Sequence, residues 1–249
     1  MHLYDSMLKP VIFGHRGASK YAPENTIAAF DLAIRQGTKA FELDTMLTSD
    51  RVPVVIHDHT LDRTTNGTGE VGQKTLKEIK ELDAGFRFSA KFKDEKVPVL
   101  KDVLEKYRNG ILINIELKNY HSPKDDLARI VMELVEACGM LDQVLFSSFL
   151  PRNLKILRFL QPAAKVALLT PEGILGIFFR SFLFYGQSPE IIHPSSKNVT
   201  RDTINNEHHR GRRVNVWRVN DLQTARNLID WGVDGLITDD PKSSLQLLR

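Results

Sequence analysis

The sequence predicts an α/β protein, a closed (β/α)8 barrel with a small insertion after the second strand, and three observations carry that expectation. Short runs rich in β-branched and aromatic residues alternate with longer segments of helical spacing, the pattern of repeated βα units around a parallel sheet. Eight such runs can be counted, at residues 11–15, 40–44, 112–118, 144–149, 166–170, 191–193, 214–219 and 235–238, and eight is the number that closes a TIM barrel. The chain has 249 residues, 42% of them hydrophobic, which suits one barrel of this kind, so 1–249 is expected to form a single domain.

Taken in order, the first strand runs into Gly14-His15-Arg16-Gly17. The helix behind it has an N-cap candidate in Asn25, apolar residues at helical spacing, and Gly37 where a left-handed residue is wanted. After the second strand, whose extension is expected through 52–57, the rhythm breaks. Residues 58–97 are polar and basic, contain Gly67, Gly69, Gly72 and Gly85, and show helical spacing only over 76–82; they read as an insertion. Cys138 falls on an apolar helix face and reads as packing. Asp221 and Gly232 bracket a late helix, and Pro241 suits the first turn of the last one.

Composition excludes several function classes. Lys plus Arg total 34 against 31 for Asp plus Glu, a net charge of +3 without blocks of like charge, so nothing points to nucleic acid. A single cysteine rules out an intramolecular disulfide. Residues 1–9 lack a basic region followed by an apolar one, so a cytoplasmic location is the expectation. The longest apolar stretch, 174–185, contains Arg180 and falls short of the roughly 20 residues that cross a bilayer.

Residues two apart in a strand share a face, so Glu42 and Asp44 point the same way, as do Asn114, Glu116 and Lys118. The carboxylates Glu42, Asp44 and Glu116 then converge at the C-terminal ends of their strands, where barrel enzymes build their sites. Clustering like charges without a cation is costly, and oxygen ligands suit a hard divalent ion, Ca2+ or Mg2+. Solvated acids at loop edges are the plain alternative. Two histidines at the same rim favour a site: His15 ends the first strand and His57 ends the run Val54-Val55-Ile56, and a histidine pair can serve as acid and base near neutral pH.

At these residues the sequence resembles a known family. His15-Arg16-Gly17, Ala22-Pro23-Glu24-Asn25-Thr26, Glu42-Leu43-Asp44, His57-Asp58, Leu61-Asp62-Arg63-Thr64-Thr65-Asn66-Gly67, Glu116-Leu117-Lys118 and Trp217-Arg218-Val219-Asn220 resemble, in order and spacing, the motifs of the glycerophosphodiester phosphodiesterases. The resemblance implies a TIM barrel with a small insertion, a divalent metal, and hydrolysis of glycerophosphodiesters to glycerol 3-phosphate and an alcohol. It implies Glu42, Asp44 and Glu116 as metal ligands, His15 and His57 as the acid/base pair, Arg16 and Lys118 as the phosphate grip, and Trp217 as a wall for substrate. It also implies attack by the substrate's own neighbouring glycerol hydroxyl, through a cyclic phosphate. Three carboxylates against a divalent ion, Arg16 and Lys118 leave about one positive charge, matched to the one negative charge of a phosphodiester.

The family's tryptophan-threonine-valine-asparagine pattern carries Arg218 here, and strand alternation is expected to turn it away from the pocket. His193, ahead of Pro194, reads as either a substrate contact or a structural residue; His208 and His209 read as solvated at a polar helix end. Two other functions stay in view: lysophospholipase D type cleavage of lipid diesters on the same barrel, and an inactive phosphate-binding module. Segment 173–185 is expected to be a buried barrel helix, with an apolar rim meeting acyl chains or a membrane surface as the rival.

Overall fold

The computed structural model describes residues 1–180 and 189–248. Among these, the strands β1 (Val11–His15), β2 (Ala40–Leu47), β3 (Pro53–Val55), β4 (Leu112–Leu117), β5 (Val144–Ser148), β6 (Lys165–Thr170), β7 (Ile191–Pro194), β8 (Arg213–Val216) and β9 (Gly235–Thr238) form one sheet. β1 pairs in parallel with both β2 and β9, so the sheet closes, and β1, β2 and β4 to β9 make an eight-stranded parallel barrel. The helices are α1 (Leu3–Ser6), α2 (Ile27–Arg35), α3 (Leu76–Glu81), α4 (Leu100–Tyr107), α5 (Leu127–Ala137), α6 (Pro151–Leu160), α7 (Ile174–Arg180), α8 (Arg201–His209), α9 (Leu222–Asp230) and α10 (Pro241–Gln246).

Alternation along each strand sends one set of side chains inward and the other toward the helices. The lower interior is a packed plug of Val11, Phe13, Ala40, Leu112, Leu145, Ala167, Ile191 and Ile237, closed from below by Tyr4 of α1. The opposite faces of the strands pack on the helices, with Phe41, Leu43, Ile113, Ile115 and Phe146 against Leu104, Val131 and Leu157 in the largest cluster. Cys138 is buried at the C-cap of α5, and burial pushes its thiol up; it is inert packing.

Several expectations shift in detail. Residues 52–57 do not prolong β2; β2 itself runs on to Leu47 and β3 folds back antiparallel against it, Thr45 opposite Val55. α2 is capped by Thr26, whose hydroxyl accepts from the Ala29 N–H, because Asn25 is left-handed and committed elsewhere. Asp221 and Asp240 cap α9 and α10. The stretch after β3 packs a small cluster of its own, Leu61, Val71, Ile79 and Val97 beneath Met46, Val54 and Ile56, and its one α-helix, α3, carries a Thr75/Glu78 capping box.

The buried-helix expectation for 173–185 is not met where it can be checked. Ile174, Leu175 and Phe178 of α7 are 82%, 61% and 46% exposed. The helix turns Gly176 to the fold instead, where a Cβ would lie 2.0 Å from the Pro171 carbonyl oxygen. Residues 181–185 lie outside the described residues. No helix of the described residues is long and apolar enough to cross a membrane.

Candidate active site

Strand register assembles the acids. β1 and β2 set His15 beside Glu42, and β2 and β4 set Asp44 beside Glu116. All four face inward at the C-terminal end of the barrel, and the ligand oxygens of Glu42, Asp44 and Glu116 lie within 4.8 Å of one another. Glu42 and Asp44 are buried, and the Glu116 side chain is 12% exposed. Burial, with Asp44 and Glu116 beside it, holds Glu42 well above the usual carboxylate range. Burial opposes ionisation of Asp44 too, but the charges of Arg16 and Lys118 and the hydrogen bond from Asn25 outweigh it and hold that carboxyl below its usual range. Glu42 Oε1 and Asp44 Oδ1 are buried without a hydrogen-bond partner. Three clustered acids, two of them with an orphaned oxygen, suit a hard divalent cation, which would neutralise the like charges and satisfy unpartnered atoms.

The loop after β1 aims groups at these acids through unusual backbone. Gly17 has φ +86°, and a Cβ there would lie 2.5 Å from the Ala29 carbonyl carbon, so glycine alone permits the turn against α2. Arg16 and Asn25 are left-handed at φ 55° and 58°, at a cost of about 1–3 kcal/mol each for ordinary side chains. That conformation lets the Arg16 N–H donate to Glu42 Oε2 at 3.1 Å. It also lets Asn25 bracket Asp44, donating from Nδ2 to Oδ2 at 2.9 Å and accepting the Asp44 N–H at 3.2 Å. The Arg16 guanidinium lies 3.1 Å from Asp44 Oδ2. Burial would lower the Lys118 ammonium, but Glu116, 3.1 Å away, and Asp44 hold it above its ordinary value.

Each histidine is anchored through Nδ1 by a carboxylate. His15 Nδ1 donates to Asp239 Oδ1 at 2.5 Å, just beyond the end of β9; Asp239 also accepts from Ser19 and Asn220. His57 Nδ1 donates to Asp58 Oδ1 at 2.5 Å. In both, Nε2 is left facing the cluster: 4.0 Å from Glu42 for His15, and accepting from the Lys118 ammonium at 3.0 Å for His57. Burial lowers the His15 imidazole against the opposing pull of Asp239. Arg63 ties the second histidine to the first loop. It donates to Asp58 from Nε at 2.6 Å and bidentately to Glu24 at 2.7 Å, while Glu24 also accepts from Arg16 at 2.8 Å. Burial resists ionisation of Asp58, but Arg63 and His57 bring it down to about 2.

These groups open into a cavity of about 220 Å³ whose other side is apolar, made by Phe149, Leu169, Trp217 and Ile237. Phe149 stands edge-on to Trp217 at 5.7 Å, and Trp217 Nε1 donates to the His193 carbonyl. All eight sequence-predicted site residues therefore meet, with Asp44 just behind the lining. Arg218 corrects an expectation: β8 ends at Val216, so alternation does not reach 217–218, and Trp217 and Arg218 both line the cavity. His193 is fully buried and lies beneath the cavity, accepting at Nε2 from Asn215, with burial lowering it to about 3; it is structural. His208 is not simply solvated, because its Nε2 lies 2.8 Å from the buried Asp234. Asp239 and Tyr120, whose hydroxyl donates to Glu116 at 2.8 Å, were not singled out from the sequence; a strand-end acid after Thr238 was the available signal for Asp239.

A closed parallel barrel with these acids, cations and histidines at its C-terminal rim defines a barrel phosphoric diester hydrolase. Residues 15–243 match the sequence profile of the glycerophosphoryl diester phosphodiesterase family, and the chain belongs to that family. A glycerophosphodiester phosphodiesterase of Caldanaerobacter subterraneus is 36% identical over 97% of this chain and 99% of its own. Among solved structures, an Oleispira antarctica phosphodiesterase that holds the product sn-glycerol-3-phosphate superposes with a TM-score of 0.89 at 28% identity, covering 100% and 99% of the two chains. A glycerophosphodiester phosphodiesterase of Agrobacterium tumefaciens gives 0.80 at 33%, covering 94% and 98%.

Proposed function

We propose that the chain acts as one phosphodiesterase domain that hydrolyses glycerophosphodiesters to glycerol 3-phosphate and an alcohol, in the cytoplasm, with a divalent ion held by Glu42, Asp44 and Glu116. The observation that carries it is the convergence of three carboxylates, two with orphaned oxygens, beside two histidines that each present Nε2. Held there, Ca2+ or Mg2+ supplies Lewis acidity toward a phosphoryl oxygen and a template for the attacking hydroxyl.

The chain's own groups do the rest. Arg16 and Lys118, 12% and 10% exposed, bind the phosphate oxygens as fixed charges in a largely water-excluded site. Lys118 meanwhile donates to His57 Nε2, so an arriving phosphate competes for that ammonium and frees the imidazole. Asp239 and Asp58 keep the Nδ1 protons in place, so each Nε2 can take or give a proton. One histidine removes the proton of the attacking hydroxyl, the glycerol hydroxyl next to the phosphate, and the other protonates the departing alcohol. Water then opens the cyclic phosphate with the proton transfers reversed.

The test is incubation of purified protein with glycerophosphocholine, glycerophosphoethanolamine and a lysophospholipid, with and without chelator. Glycerol 3-phosphate and free alcohol are expected, abolished by chelator and restored by Ca2+ or Mg2+. Turnover that ignores chelation overturns the metal assignment. A second reading, cleavage of lysophospholipids with acyl chains resting on the rim, is favoured by the exposed Ile174, Leu175 and Phe178 of α7, which follows β6. It predicts rates that rise with chain length and fall when Phe178 is made polar.

A further inference from the structure

The cavity has two ends of different character. At the phosphate end, charges are dense, buried and mutually paired. At the other, Phe149, Leu169, Trp217 and Ile237 form an apolar wall, and Arg218 is the charged residue among the described lining residues there. Its side chain is 52% exposed, against 12% for Arg16 and 10% for Lys118. The nearest anion is Asp239, whose Oδ2 lies 3.9 Å from Arg218 Nε, beyond hydrogen-bond distance. Asp239 is already engaged by His15, Ser19 and Asn220. The Arg218 guanidinium thus faces the cavity with its N–H donors unclaimed among the described residues.

A diester places two substituents on phosphorus. Glycerol is constant in size, whereas the alcohol varies and needs room toward solvent, and the half-exposed Arg218 lines the cavity where solvent reaches it. A guanidinium fork is shaped for a carboxylate or a phosphate and repels a quaternary ammonium. Resting on the function proposed above, we propose that Arg218 selects glycerophosphodiesters whose leaving alcohol carries an oxyanion, a carboxylate or a second phosphate, over those with a cationic headgroup. Trp217 alone would favour choline through its ring face; the adjacent Arg218 reverses that preference.

The experiment compares kcat/KM of the metal-loaded enzyme on glycerophosphocholine, glycerophosphoserine and glycerophosphoglycerol phosphate, for the natural protein and for R218T, R218K and R218E. The natural protein is expected to favour the two anionic headgroups over choline by about five- to tenfold, the scale of one half-exposed charge contact, and less at high salt. R218K keeps the order, R218T flattens it and R218E inverts it. The serine and phosphate substrates separate carboxylate from phosphate recognition. Equal ratios in the natural protein and R218T, or a choline preference in the natural protein, overturn the proposal while leaving the hydrolase reading intact. Absence of turnover on all three diesters overturns the hydrolase reading, and this proposal with it.

Discussion

His15 and His57 reach the same local geometry by different construction. His15 sits on the β1 side of β2, its side chain 12% exposed, and its anchor Asp239 is 224 residues away in sequence. Only closure of the barrel between β1 and β9 brings the two together. His57 is 29% exposed, and its anchor is the next residue, Asp58. That anchor is steadied by Arg63, 47% exposed, from the stretch that follows β3. The first wall rests on a long-range pairing to the less exposed imidazole, and the second on local ion pairs that run out to the exposed Arg63. A charge network at the surface is more open to salt and to water than one inside. The difference assigns the segment after β3 a purpose beyond covering β2: its Arg63 links His57 to Arg16 through Asp58 and Glu24.

The largest effect is expected at the element the two walls share: Asp44→Asn should abolish divalent-ion binding by calorimetric titration and lower turnover by about 10³-fold, a loss of several kcal/mol of transition-state stabilisation. Retained ion affinity and turnover would remove the centre both walls serve. Next, His15→Ala and His57→Ala should each lower kcat by about 10²-fold or more, as expected for groups that move a proton, with ion affinity kept. Near-natural turnover in either variant would show that wall to be scaffolding.

Smaller changes sharpen the contrast. Asp239→Asn should cost about 10²-fold, because among the described residues no other group holds the His15 imidazole in its Nδ1–H form, whereas Asp58→Asn should cost about tenfold, since water can reach His57. Arg63→Met should cost up to about tenfold, and the loss in the natural protein on raising salt should mimic it. Equal losses at Asp239 and Asp58 would erase the distinction between the walls. The smallest effect is invisible at neutral pH and concerns the barrel interior below. His193 is lowered to about 3 from an ordinary 6.5 by burial. As pH falls below 6.5 the unfolded chain takes up this proton and the folded chain does not, so stability falls on acidification, by up to about 1.4 kcal/mol per pH unit. Denaturant titrations at pH 7, 6 and 5 should show a shallower decline for His193→Gln. An unchanged decline would mean that other groups govern acid stability.

Much of the site was legible because strands have a period of two. Glu42 and Asp44 must share a face in any strand, and so must Asn114 and Glu116, with Lys118 one residue past the end of β4. Strand-end position then singled out His15 and His57, and motif order named Arg16 and Trp217. Arg218 was misplaced because alternation was carried two residues past the end of β8, and Asp239 was overlooked because its partner is on the first strand. The hairpin of β2 with β3 was hidden because an apolar run reads alike as an extension or as a return.

By itself, then, the sequence determined the eight-strand rhythm, the cap Asp221, the first-turn position of Pro241, and which residue types stand at the strand ends, since these follow from local periodicity and hydrogen bonding. Tertiary structure alone decided which acid anchors which histidine, that Glu42 and Asp44 each keep an orphaned oxygen within a cluster of three acids, and that Arg218 faces the cavity. Those outcomes depend on parallel register and barrel closure, which set distances between residues far apart in the chain and so leave no trace in local pattern.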